Sequence, residues 1–193
     1  TSYGFGNYVL GLGLSYASSS NNFTPATGTG DKNSASQFGV NIGFMGDLTP
    51  NFKFDIDFAL AMPSASYEPG TGDKIEASNT FMAANARGFL KLSNKFSLVP
   101  TFAFYNSSGK VDVGSQSVDL VSMMGLGAGV GLSYQTGNLI ISGGPSFVYE
   151  SETTAADSTI SPEIKDTRLT FPAWNLGAEW YFTDWLIGRM GYV

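Results

Sequence analysis

Near the start of the chain, residues 7–16 read Asn7-Tyr8-Val9-Leu10-Gly11-Leu12-Gly13-Leu14-Ser15-Tyr16. A β-strand points alternate side chains to opposite faces, so one face of this stretch is wholly apolar with a tyrosine at each end. Tyrosine favours the membrane–water interface, because its ring is apolar while its hydroxyl stays hydrated. In a tilted strand, the two tyrosines are about 20 Å apart along the membrane normal, as in a transmembrane barrel. The pattern predicts a membrane-spanning strand.

The composition agrees with a membrane protein built from strands. The chain has 193 residues, enough for one domain over residues 1–193, and it lacks the run of about 18 apolar residues that a spanning helix needs. Only helices and closed barrels satisfy every backbone polar group in lipid, so we expect a closed barrel. The alternative is a soluble lipocalin-like barrel or sandwich. Such a fold would place charges on the second face, which here is largely Gly, Ser, Asn and Ala.

Several function classes are disfavoured by what the sequence lacks. It contains no cysteine, so it has no disulfide or thiolate metal site, and no histidine, the usual general base and commonest transition-metal ligand. We therefore predict no catalytic residues, no metal, no cofactor and no enzyme activity. The net charge of −6 also argues against nucleic acid as a partner.

Nine segments with alternating apolar residues can be read along the chain, and they predict an all-β, antiparallel, up-and-down transmembrane β-barrel. Bacterial single-chain barrels have even strand numbers, so nine segments indicate part of a barrel of ten or more strands. The last segment ends at Val193 without the terminal Phe or Trp that such barrels carry, and we expect truncation at the C-terminus or completion by further chains. The sixth segment illustrates the lipid-facing assignment with Leu120, Met124, Leu126, Val130, Leu132 and Tyr134.

The connections between these segments alternate between short and long, which orients the barrel. Membrane barrels have short periplasmic turns and longer outer loops. The short turns, rich in Pro, Asn, Gly and Asp, are predicted at 47–51, 93–95, 135–138 and 183–185. The long loops are predicted near 17–36, 68–77, 106–117 and 151–167.

A short repeat lies in two of the long loops, where Gly-Thr-Gly-Asp-Lys occurs at 28–32 and again at 70–74. The spacing of 42 residues corresponds to one loop plus one hairpin, which suggests growth by hairpin duplication. Asp31 and Asp73 are candidate calcium ligands, but the repeat lacks the run of oxygen ligands that calcium sites show. Turn chemistry is the favoured explanation.

Charged residues at membrane depth fall on the face opposite the apolar stripes, which becomes the lumen of a barrel. A tight turn at 183–185 predicts Glu179 directly opposite Arg189, and a loop centred near residue 72 predicts Asp57 near Arg87 and Lys53 near Lys91, with Asp55 between them. The predicted lumen charge cluster consists of Lys53, Asp55, Asp57, Arg87, Lys91, Glu179 and Arg189.

Two interpretations of these lumen charges remain open. They can form a packed, ion-paired interior, or they can line a pore and select what passes. The first predicts a structural or partner-binding barrel without transport, which meets a protein partner through its loops or wall. The second predicts a passive channel or transporter for small or hydrophobic solutes. The sequence does not indicate the oligomeric state.

Over its whole length the chain resembles bacterial outer-membrane β-barrel proteins. Residues 176–182 and 186–192, joined by a tight turn, look like a hairpin common in such proteins, including relatives of the long-chain fatty-acid transporters. The resemblance implies a bacterial outer-membrane location, contact with the lipid bilayer and a signal peptide removed before Thr1. For the transporter family it also implies a larger barrel, an N-terminal plug and passage of hydrophobic molecules.

Overall fold

The computed structural model of the chain describes residues 1–25, 29–154, 163–183 and 186–192. The described residues form eleven β-strands in one sheet, and no helix among them is long and apolar enough to cross a membrane. The strands are β1 (Ser2–Phe5), β2 (Tyr8–Phe23), β3 (Asp31–Thr49), β4 (Phe52–Glu68), β5 (Ile75–Lys91), β6 (Phe96–Val113), β7 (Gln116–Asp119), β8 (Ser122–Thr136), β9 (Leu139–Thr154), β10 (Ile164–Tyr181) and β11 (Ile187–Tyr192).

The sheet is antiparallel and follows chain order from β1 to β11, except that β7 lies off this path and pairs only with the end of β6. Each strand therefore pairs with its neighbours in sequence, which is the predicted up-and-down topology. Within the described residues no hydrogen-bonded ladder joins β1 to β11, so these two strands form the ends of the sheet.

The nine predicted segments correspond to the long strands and to β11, whereas β1 and β7 were not predicted. Each has only four residues, too few to show a period of two. A two-residue turn joins β1 to β2, and Gly6 in it has a positive φ of 59°, which glycine adopts without strain. With β1 included and β7 set aside, ten strands follow one another along the path, an even number.

The strands are longer than predicted at the long-loop end. Most of the loop predicted at 17–36 is strand, because β2 continues to Phe23 and β3 begins at Asp31. This region is rich in serine and asparagine and lacks apolar alternation, so its sequence resembles a loop. Cross-strand hydroxyl hydrogen bonds support the ladder there, at 2.7 Å for Ser34–Ser66 and 2.8 Å for Ser36–Ser64. The sheet thus extends as a polar wall beyond its apolar band.

The predicted division of the side chains into two faces agrees with the strand registers. Residues assigned to lipid lie opposite one another across successive strands and form a continuous apolar face. No large apolar side chain among the described residues is buried within the protein, as expected for a surface that lipid covers. One row of this outer face consists of Leu12, Ile42, Phe58, Ala84, Phe104 and Leu126.

Leu120 is an exception, because it lies on the inner face instead of the predicted outer face. Its backbone N–H donates to Gly109 O at 2.8 Å, and it lines an inner-face cavity of about 480 Å³ with Ala65 and Ala77. The chain gains one residue between the Gly109–Leu120 pair and the Ser107–Met123 pair. Because side chains alternate between the two faces, one added residue moves Leu120 to the face opposite the one expected by counting back from Met124. Alternation in the sequence alone does not reveal this shift.

Aromatic side chains cluster on the outer face at the short-turn end, where the predicted aromatic girdle lies. Ring centroids are 5.3 Å apart for Phe44–Phe54, 4.9 Å for Phe96–Tyr134 and 5.5 Å for Trp180–Phe182. Several rings lie over a glycine of the next strand, which leaves room for the ring. These ring–glycine pairs are Tyr8–Gly46, Phe52–Gly88 and Phe182–Gly188.

Candidate functional site on the inner face

The hairpin of β4 and β5 carries the main charge pair of the inner face. Asp55 lies opposite Arg87, and the guanidinium donates two hydrogen bonds to the carboxylate, at 3.0 Å from Nε and 2.8 Å from Nη2. Asp57 lies opposite Asn85, whose amide donates to it at 2.9 Å. The predicted Asp57–Arg87 pairing is therefore wrong by two positions. The loop is centred one residue earlier than predicted, so each pair shifts by two and stays on the same face.

The predicted register of Lys53 and Lys91 is also wrong by two positions. Lys53 lies opposite Phe89, and its Nζ is 3.4 Å from the Oδ1 of Asp47 on β3. Lys91 lies opposite Ser97 on β6. Sequence reasoning missed Asp47 because it was placed in a turn, whereas β3 runs to Thr49.

The last hairpin brings together the second predicted charge pair. Glu179 and Arg189 are ladder partners, and Arg189 Nε is 3.3 Å from Glu179 Oε1. The short connection fixes this register, so the pairing agrees with the sequence prediction. Three strands, β6, β8 and β9, separate this pair from the Asp55–Arg87 hairpin along the sheet. The predicted lumen charges thus form two groups within the described wall, not one cluster.

A third polar group lies on the inner face of β6, β8, β9 and β10 and was not predicted. The Tyr105 ring lies over Gly125, and its hydroxyl donates to Glu150 at 3.2 Å. Arg168 lies opposite Glu150 in the ladder. Sequence analysis left Tyr105, Glu150 and Arg168 unassigned, although continuing the alternation of β9 would have placed Glu150 on the inner face.

We expect weak coupling within the Asp55–Arg87 and Glu179–Arg189 pairs, because each pair is partly exposed on the inner face and each arginine is more than half exposed. The exposed fractions are 58% for Arg87 and 26% for Asp55, and 67% and 37% for Arg189 and Glu179. Exposed ion pairs contribute roughly 0.2–1 kcal/mol. Double-mutant cycles with D55N/R87Q and E179Q/R189Q, measured by unfolding in lipid vesicles, should give coupling energies in this range. Coupling above about 3 kcal/mol would instead indicate pairs desolvated in a packed lumen.

The Gly-Thr-Gly-Asp-Lys repeats occupy two different environments at the long-loop end. The Asp31 carboxylate accepts hydrogen bonds from Gly70 N at 2.9 Å and from the Tyr67 hydroxyl at 3.2 Å. The bond to Asp31 raises the pKa of Tyr67 above its usual range. Asp73 lies beside Gly114 in the β6–β7 turn. Asp31 of the first repeat thus links the start of β3 to the end of β4 and the connection that follows it. Gly28 of this repeat lies outside the described residues.

The Lys74 ammonium lies near the second repeat and pairs with Glu76 at 2.7 Å, which raises the pKa of Lys74. Among the residues that the structure describes, no group of three or more Asp or Glu side chains is arranged to hold a metal ion. Asp31 is the first residue of β3, and Asp73 lies in the connection between β4 and β5.

Comparison with solved structures shows that the sheet shares its fold with bacterial receptors. It is similar to BauA, the ferric preacinetobactin receptor from Acinetobacter baumannii, with a TM-score of 0.64 and 9% identity over 95% of this chain and 36% of that one. It is also similar to the ferric yersiniabactin uptake receptor FyuA from Yersinia pestis, with a TM-score of 0.53 and 13% identity over 92% of this chain and 33% of that one. The fold is that of an outer-membrane β-barrel wall.

The barrel wall spans about a third of the length of those two receptors. The attachment invasion locus protein Ail of Yersinia pestis was also found, at a TM-score of 0.33 and 18% identity over 90% of this chain and 97% of that one. No protein-family model and no curated protein matches the sequence. The narrower resemblance of the last hairpin to relatives of the long-chain fatty-acid transporters stays a hypothesis.

Proposed function

We propose that the chain forms the wall of a bacterial outer-membrane barrel that acts as a passive channel or transporter for small or hydrophobic solutes. The supporting observation is the state of the inner face. Arg87 and Arg189 keep more than half of their side-chain surface exposed, and the described residues contain no buried apolar core. Small residues predominate between the charges, including Gly127, Gly129 and Gly131 on β8. Such a lining leaves room for water and solutes along the wall.

Conductance of the purified full-length protein in planar bilayers tests this proposal. We expect a small conductance. Its ion selectivity should fall when Arg87 and Lys91 are neutralised in the variant R87Q/K91Q, because charged side chains that line a pore set its ion preference. The matched control is K32Q/K110Q, which removes two lysines from the polar outer face. No conductance at any voltage, or an unchanged ion preference in R87Q/K91Q, would contradict the channel.

The second candidate is a structural or partner-binding barrel, and the polar wall beyond the apolar band favours it. The β3–β4 ladder continues to the pair Lys32–Glu68, and Asp31 fixes the following connection through Gly70. This long-loop end is therefore a braced surface suited to a protein partner. The conductance measurement separates the two candidates, since a structural barrel with a filled lumen conducts no ions.

A further inference from the structure

The polarity of the two faces reverses between the apolar band and the long-loop end of the sheet. Within the band the outer face is apolar and the inner face carries charges, as with Ile56 and Asp55 on β4. Beyond the band the outer face carries hydroxyl and carboxylate side chains, and one such row consists of Ser20, Ser34, Ser66, Glu76 and Asp112. A sheet whose outer face meets water turns its apolar side chains inward. The long-loop end of the wall therefore resembles a soluble barrel in its polarity.

The inner face of this long-loop end is correspondingly apolar. One row crosses from β2 to β7 and consists of Ser19, Ala35, Ala65, Ala77, Val111 and Val118. The next row includes Tyr67, Ile75 and Val113. The exposed fraction is 38% for both Ile75 and Val113 and 53% for Val118, so the described residues leave this inner surface partly uncovered. The surface is therefore able to contact the apolar body of a ligand.

A cavity of about 480 Å³, called here the loop-end cavity, occupies the inner face at these rows. Its apolar lining consists of Ala17, Ala35, Pro63, Ala65, Ala77 and Leu120. An adjoining space of about 390 Å³ shares Ala65 and Ala77 with it and extends to Ile75. Binding sites for small molecules typically measure about 300–1,000 Å³. The loop-end cavity therefore has room for a molecule with one or two rings.

The polar groups at the loop-end cavity are neutral. Among the described residues that line it and the adjoining space, none has a charged side chain. Its polar side chains are the amides of Gln37 and Asn79 and several serine hydroxyls. The Asn79 carbonyl accepts a hydrogen bond from Ser107 at 3.2 Å, so its NH₂ group is the part that can donate to a ligand. A charged ligand would lose hydration here without gaining an opposite charge.

We propose that the loop-end cavity binds a small uncharged molecule with an apolar ring system and one hydrogen-bonding group. The rings would lie against Ala35, Ala65 and Leu120, and the polar group would bond to the amide of Gln37 or Asn79. This inference rests on the proposed channel and deepens it, because it names neutral apolar solutes as the class that the wall binds at its long-loop end. Such a solute meets this cavity before it reaches the charges of the β4–β5 hairpin.

Isothermal titration of the full-length protein in phosphatidylcholine nanodiscs at neutral pH tests the inference, with empty nanodiscs as the blank. The probe is 1-naphthol, which is neutral. The comparators are 1-naphthalenesulfonate and 1-naphthylmethylammonium, which carry a negative or a positive charge on the same rings. We expect 1-naphthol to bind at least about fivefold tighter than either comparator, because neither charge finds a partner in the cavity. Equal or tighter binding of a charged comparator would overturn the proposal.

Two variants of Ala65 and one matched control locate the site. A65W places an indole in the loop-end cavity and should weaken binding of 1-naphthol at least about fivefold. The control M62W places the same group on the outer face of the same strand, where Met62 lies opposite Phe38, and should leave binding unchanged.

A65D gives the cavity a negative charge and separates a lost site from a lost fold. It should bind 1-naphthylmethylammonium at least about fivefold tighter than the unmodified protein does, since opposite charges attract. A misfolded chain cannot show this gain. No gain in A65D, or equal loss of 1-naphthol binding in A65W and M62W, would refute the site.

The titration does not depend on ion flow, so its outcome is separable from that of the channel proposal. Binding of 1-naphthol without conductance would keep the loop-end cavity as a ligand site and reject the channel. Conductance without binding of 1-naphthol would keep the channel and reject the site, as expected if a segment of the chain itself fills the cavity.

Discussion

Arginine at Leu12 or Leu126 should destabilise the protein in a bilayer by about 2–4 kcal/mol. Both leucines lie in the same row of the outer apolar face, and Leu12 has 52% of its surface exposed. In a membrane this exposed surface contacts hydrocarbon, where a guanidinium loses its hydration. The measurement is reversible unfolding by urea in lipid vesicles, followed through tryptophan fluorescence.

The neighbouring inner-face glycines provide matched controls for these arginine variants. A Cβ added at Gly13 would have Asn41 Cβ at 3.5 Å as its nearest atom, and one at Gly127 would have Ala103 Cβ at 3.7 Å. Both are ordinary van der Waals distances, so serine should fit and cost much less than arginine at the leucines. Greater destabilisation by G13S or G127S than by L12R or L126R would mean that the two faces have been assigned the wrong way round.

Substitution of Gly125 by alanine should cost about 1–3 kcal/mol, the usual range for overpacking. The Tyr105 ring lies over Gly125 so closely that an added Cβ overlaps it. The ring must then move, and its hydroxyl loses the hydrogen bond to Glu150. Urea unfolding in lipid vesicles measures the loss.

Gly127, two residues along the same strand, is the matched control for Gly125. Because a methyl group there meets only ordinary contacts, G127A should be neutral or slightly stabilising through the reduced entropy of the unfolded chain. A double-mutant cycle should show that Y105A removes most of the penalty of G125A. Equal effects of G125A and G127A, or full additivity of G125A with Y105A, would show that the ring does not depend on this glycine.

Local alternation was sufficient to predict most of the fold. The stretch from Tyr8 to Tyr16 fixes which face of β2 is apolar, because a strand has a period of two and one face must meet hydrocarbon. The same reasoning places Phe104 and Leu126 on the outer face with no knowledge of their pairing. Glu179 and Arg189 were matched for a related reason, since a tight turn leaves little freedom of register.

Pairing across long connections was decided only by the tertiary structure. Asp55, not Asp57, meets Arg87, because a shift of two residues keeps both side chains on the same face and leaves the alternation unchanged. The sequence pattern is therefore equally consistent with either register. Leu120 shows the opposite case, in which one extra residue reverses the face without any sign in the composition.

The sequence by itself determined the period, the apolar face, the aromatic girdle and the register of the last hairpin, because these depend on neighbours along one or two strands. Only the tertiary structure decided which residues share a row across many strands. The row from Tyr105 through Gly125 to Glu150 and Arg168 draws on strands far apart in sequence. Each register adds its own offset to such a row, so the chemistry of the inner face emerges only once all the strands are paired.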